Sequence, residues 1–178
     1  MRTTRCSQTG LVFALLVAGC SGPPGAGRFP GADLGGFHVA ATSTTNGCGA
    51  GALGSPPKYS FDIDLSRDGR ELFWGRQSSG EIDANLAFEF TSSVRVEITP
   101  ASNVRKGCTI GRADHIVGAL REDALGNVSG FSGNMTHAFA SAPDSACTVD
   151  DRIGAGLPEL PCQMDYTLEG QLSREPEL

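Results

Sequence analysis

Several things are scarce in this chain, and each scarcity excludes something. Basic residues are outnumbered, 14 Lys+Arg against 20 Asp+Glu in 178 residues, for a net charge of -6. A general nucleic-acid binder needs a basic face, so that class of partner is excluded. Charged residues make up 19% of the chain, too few for a disordered, solvating polymer. No apolar run is long. The longest, residues 11–18 (LVFALLVA), is too short to cross a ~30 Å hydrocarbon core as a helix at 1.5 Å per residue. After Gly36 no segment carries the i, i+3, i+4 apolar period of a substantial helix. Residues 113–125 come nearest, with Gly118 interrupting them.

Chemical motifs are equally sparse. There are three histidines, His38, His115 and His137, and no Gly-x-Ser-x-Gly elbow, so the spacing does not ask for serine hydrolysis. The cysteines form no C-x₂-C pair, which argues against a zinc site. The acidic stretch Asp62, Asp64, Asp68, Glu71 lacks calcium-loop spacing, and Asp62 and Asp64 fall on the polar parity of a strand. No metal and no cofactor is expected.

What is present starts with an address. Arg2 and Arg5 precede the apolar run, and small residues follow it, the pattern of a secretory signal over residues 1–19. Val17-Ala18-Gly19-Cys20 resembles the lipobox of bacterial lipoproteins. The resemblance implies cleavage after Gly19, diacylglycerol on the Cys20 thiol and acylation of the new amino group. Two or three acyl chains make a stable membrane anchor. Ser21 follows the lipidated cysteine, which by the enteric sorting rule points to the outer rather than the inner membrane, at its periplasmic or surface face. Processing leaves 12 basic and 20 acidic residues, a net charge of -8.

Residues 21–35 contain eight Gly or Pro in fifteen and read as a flexible tether. Beyond them one domain is expected over residues 36–178. Removing Cys6 with the signal and assigning Cys20 to lipid leaves Cys48, Cys108, Cys147 and Cys162. An even number in an oxidising compartment predicts two disulfides. Of three possible pairings, Cys147–Cys162 with Cys48–Cys108 is the expected one. The loop-entropy relation gives roughly 3 and 4 kcal/mol for them.

The dominant period of the domain is two. Tyr59, Phe61, Ile63 and Leu65 alternate with polar residues, and so do Leu86, Phe88, Phe90, Val94, Val96 and Ile98. Strands are expected over 37–45, 58–65, 71–74, 80–83, 86–98, 109–121, 128–140 and 160–172, with turns at Asp68-Gly69, Ala84-Asn85 and Gly126-Asn127. Alternatively, residues 80–98 form one strand. Gly is 24 of 178, about 13% against a usual ~7%, and glycines inside strand patterns indicate bends. The predicted fold is an all-β, antiparallel up-and-down meander of about eight strands. A calycin-like barrel is favoured over a β-sandwich.

Asn46-Gly47-Cys48-Gly49, Leu65-Ser66-Arg67-Asp68-Gly69, Gly107-Cys108-Thr109 and Leu160-Pro161-Cys162 resemble a loose group of uncharacterised four-cysteine β-rich secreted lipoproteins. That likeness implies architecture and no activity.

Three polar residues occupy apolar parities. His137 lies between Met135 and Phe139, while Arg112 and Asp114 share the parity of Cys108, Ile110 and Ile116. In a barrel they face the lumen, either as a polar floor for a small ligand or as a structural Arg–Asp pair with a hydrogen-bonded core histidine. The first functional expectation is a non-enzymatic envelope protein acting as an interaction module. The second is a small-ligand carrier with an open lumen, and the third a hydrolase. Large apolar side chains filling the centre would indicate a packed module. A void lined by mixed residues would indicate a carrier, and a histidine–carboxylate cluster in a cleft would raise the hydrolase.

Overall fold

The computed structural model describes residues 30–49, 52, 56–75, 78–98, 108–143 and 145–176. The signal, Cys20 and most of the tether lie outside the described residues. Eight strands follow one another as β1 (Ala32–Asn46), β2 (Lys58–Asp68), β3 (Glu71–Trp74), β4 (Ser78–Ile82), β5 (Ala87–Ile98), β6 (Cys108–Glu122), β7 (Val128–Ser141) and β8 (Cys162–Arg174). Each pairs antiparallel with its sequence neighbours, and β8 pairs with β1, so the sheet closes into a barrel in meander order. The up-and-down barrel read from the alternation is therefore the fold, and residues 80–98 divide into two strands.

Closure gives the two ends different characters. At one end the turns are short: residues 69–70, 83–86 and 123–127. Two of them share a construction. Asp83 Oδ1 accepts from the backbone N–H of Asn85 (2.8 Å) and Ala87 (2.9 Å), and Asp123 Oδ1 from Leu125 (2.8 Å) and Asn127 (2.9 Å). The left-handed position falls on Gly126 (φ 84°) in one and on Leu86 (φ 65°) in the other. Leu86 packs against the core from there. The opposite end carries the longer connections, 47–57, 99–107 and 142–161.

The short-turn end is plugged. Phe37, Phe88 and Phe131 are buried, with Phe131 5.9 Å between centroids from each of the other two. Leu65, Leu72, Ile82 and Leu168 fill around them. Two glycines make room for the rings. A Cβ on Gly118 would lie 2.6 Å from Phe88, and one on Gly170 would overlap Phe131.

Two expectations need correction. The tether ends earlier than residue 35, because β1 begins at Ala32 and pairs it with Arg67 of β2. Leu34 packs against the core, and Asp33 accepts from Arg174 Nη1 at 3.0 Å. Neighbouring strands that extend that far offer hydrogen bonds the tether composition could not reveal.

The disulfides are Cys48–Cys162 and Cys108–Cys147, not Cys147–Cys162 and Cys48–Cys108. Asn46 pairs with Met164 across the closure, and continuing that register by two residues sets Cys48 opposite Cys162. Cys147 is drawn back over the start of β6 instead: Thr109 N–H donates to Ser145 Oγ at 2.7 Å, and Ala142 N–H to Thr109 C=O at 3.0 Å. Cys48 and Cys108 sit at β1 and β6, with β7 and β8 between them. The observed links span 114 and 39 residues, about 5 and 4 kcal/mol on the loop-entropy relation.

The β7–β8 connection holds a short helix, α1 (Val149–Gly154), that the apolar period did not signal. Thr148 and Asp151 close a capping box at its N-terminus, and none of its residues is buried, so its stability comes from capping rather than an amphipathic face.

Gly170→Ala is expected to cost about 1–3 kcal/mol or more through overpacking. Gly154→Ala, with open space at its Cβ, stays within about 0.5 kcal/mol of wild type. Denaturant unfolding compares the two. Peptide mapping without reduction is expected to recover Cys48 joined to Cys162 and Cys108 joined to Cys147.

Candidate site at the open end of the barrel

Unequal strand lengths create an opening. Strands β3 and β4 have four and five residues, while β2 and β5 on either side have 11 and 12. Trp74, the last residue of β3, pairs with Leu65, and β4 reaches only Phe90 of β5. Among the described residues no strand lies between the upper parts of β2 and β5, and the wall is notched. A cavity of about 270 Å³ lies behind the notch. This is just below the ~300–1,000 Å³ usual for small-molecule pockets.

The cavity has an aromatic side and a polar side. Phe61, Trp74 and Phe90 line the first, with Trp74 5.6 Å from Phe90 and 6.4 Å from Phe61 between ring centroids. Arg112 and Asp114 of β6 and His137 of β7 line the second, with Ser78 and Ser92 at the edges. The register pairs Asp114 with His137 directly. Both point inward because alternation is unbroken along these strands from Ile110 and Phe139. The three residues singled out from their parity are thus brought together in the lumen.

Asp114 is the hub. Oδ1 accepts from His137 Nδ1 at 2.6 Å, while Oδ2 accepts from Arg112 Nε at 3.1 Å and from Ser92 Oγ at 3.4 Å. The Asp114 side chain is 11% exposed and that of His137 12%. Burial pushes the Asp114 carboxyl upward, but the His137 hydrogen bond and the Arg112 charge outweigh it and hold the group below the usual carboxylate range. An ionised carboxylate only accepts, so His137 Nδ1 carries the proton of this bond, which turns Nε2 away from Asp114.

Across the mouth, the Tyr59 hydroxyl is pushed up to about 12, chiefly by burial and then by Tyr166, with Arg112 opposing. Tyr59 stacks on Phe61 and meets Tyr166 edge-on, and Tyr166 in turn meets the His137 ring at 5.7 Å. A continuous aromatic path thereby joins the plugged end to the polar side of the cavity.

The remaining histidines face outward. His115 bonds Glu89 and His38 bonds Asp62, each at 2.8 Å between exposed side chains. Only His137 meets a carboxylate inside a cleft. Phe61 and Phe90 were legible as core-facing, but neither they nor Trp74 were legible as cavity walls. The one available signal was the brevity of the 71–74 and 80–83 strands beside much longer neighbours. No protein family, curated protein or solved structure matches the chain.

Asp114→Asn is expected to destabilise the fold by about 1–3 kcal/mol at neutral pH, since it leaves two buried donors poorly matched. The folded state holds this carboxyl below its ordinary value. Its contribution is therefore complete above about pH 4 and is lost as pH falls through the folded value. Urea unfolding from pH 2 to 7 should show a shallower acid limb for Asp114→Asn than for wild type.

Proposed function

We propose that this is a lipid-anchored cell-envelope protein whose barrel binds a small ligand without transforming it. The observation that carries the reading is the division of the interior. One half is packed by Phe37, Phe88 and Phe131, while the other holds a cavity of mixed aromatic and polar lining around Arg112, Asp114 and His137. A docking module of the same fold needs only the packed half.

Placement in the envelope rests on the lipobox at Cys20 and on two disulfides, which belong to an oxidising compartment outside the cytoplasm. The tether joins the barrel at the start of β1, at the short-turn end, whereas the notch faces the other end. An anchored domain thus keeps its mouth remote from the tether's point of attachment. The Asp114–His137 pair is also the orienter and base of a nucleophilic site. The Ser92 hydroxyl, however, is directed at Asp114 rather than at the imidazole, which favours binding over hydrolysis.

Native mass spectrometry of the protein released from its own membrane tests this. A small adduct is expected on wild type and not on Ser78→Phe, which fills the cavity. The protein mass should include acyl chains on Cys20 and the loss of four thiol hydrogens. A co-purifying protein with no small adduct would instead favour the interaction module, and a bound molecule recovered as hydrolysis products would favour the hydrolase.

A further inference from the structure

The polar groups of the cavity are unequally used, and the imbalance specifies a ligand. Asp114 already accepts from His137, Arg112 and Ser92, so it has little capacity left for a donor on the ligand. Arg112 uses only Nε toward Asp114. A guanidinium has four further N–H groups on its two outer nitrogens, and among the described residues none of these makes a hydrogen bond within the protein. His137 uses only Nδ1. Neither the outer Arg112 nitrogens nor His137 Nε2 is a buried orphan, so all three are open to solvent. Arg112 lines the cavity beside Asp114 and His137, so its charge stands at the lumen. Opposite stand Phe61, Trp74 and Phe90, a wall suited to a flat or apolar body.

We infer that the cavity takes a small organic monocarboxylate, its apolar body against Trp74 and its carboxylate on the outer edge of Arg112 and Nε2 of His137. This rests on reading the barrel mouth as a ligand site. Guanidinium and carboxylate match in geometry as well as charge. Nε2 donates to the second carboxylate oxygen when the imidazole carries a proton on both nitrogens. The charge-assisted contact is the one to Arg112, whose outer nitrogens face the ligand. Its body must be small, because the cavity is about 270 Å³.

Trp74 is the only tryptophan of the chain and lines the cavity, so its fluorescence reports occupancy without a label. Benzoate and hexanoate are titrated against their neutral amides, benzamide and hexanamide, on wild type, Arg112→Gln and Arg112→Lys. At least one acid is expected to bind wild type about ten- to a hundredfold tighter than its amide, the scale of a hydrogen bond to a charged group. Arg112→Gln should bring acid and amide within about twofold by weakening the acid alone, and Arg112→Lys should retain part of the preference. Near-ultraviolet dichroism of each variant verifies folding, and Arg112→Lys carries the test if Arg112→Gln does not fold. Amides binding as tightly as acids, or a preference that survives loss of Arg112, would overturn the ligand class while leaving the cavity reading intact. If Trp74 responds to none of the four probes in wild type, both fall.

Discussion

The pairing of β1 with β8 is the constraint from which the rest of the molecule follows. These strands are the first and last of the domain, and their register runs from Gly36 opposite Arg174 to Asn46 opposite Met164. Without that ladder the meander would be an open sheet with two bare edges, each a row of unpaired backbone groups. With it, every inward parity converges on one lumen, and Phe37, Phe131 and Leu168 become neighbours although they are far apart in sequence. At one end of the seam Arg174 binds Asp33 at 3.0 Å and Asp64 at 2.9 Å, tying β8 to β1 and β2. At the other end lies the Cys48–Cys162 disulfide. The seam is clasped ionically where the turns are short and covalently where the connections are long.

A barrel of this size is filled by its own side chains, and here the filling is deliberately uneven along the axis. Gly118 and Gly170 let phenylalanine rings lie against the backbone at the short-turn end. The brief β3–β4 hairpin withdraws the wall at the other. The cavity is thus a consequence of strand length, bounded below by a plug that cannot rise into it. Two disulfides fix the connections around its rim, which lowers the ordering that a ligand would otherwise have to impose. Charge is tolerated inside because Asp114 has three donors and Arg112 reaches the rim, where its outer nitrogens remain hydrated.

Much of this was legible in the chain. Strand alternation survives in nearly every element because a barrel has one inside and one outside, and period two encodes that directly. The same logic placed Arg112, Asp114 and His137 in the lumen, since a polar residue on an apolar parity has nowhere else to point. Other features were illegible for equally definite reasons. The disulfide pairing depends on which strand closes against which, and Cys147 is nearer to Cys162 in sequence but is carried to β6 by hydrogen bonds of Thr109. The start of β1 at Ala32 depends on how far β2 and β8 extend, not on its own Gly-rich composition. The helix at Val149–Gly154 is held by the Thr148–Asp151 box, a local signal that an apolar-period search passes over.

The sequence by itself determined the all-β meander and the side of the sheet each strand residue occupies, because these depend on local pattern and side-chain chemistry. Tertiary structure alone decided the cysteine partners, the notch beside Trp74 and the meeting of Asp114 with His137 across β6 and β7. These are matters of register and relative strand length. Hydrogen bonding between segments fixes both, and alternation within a segment is indifferent to either.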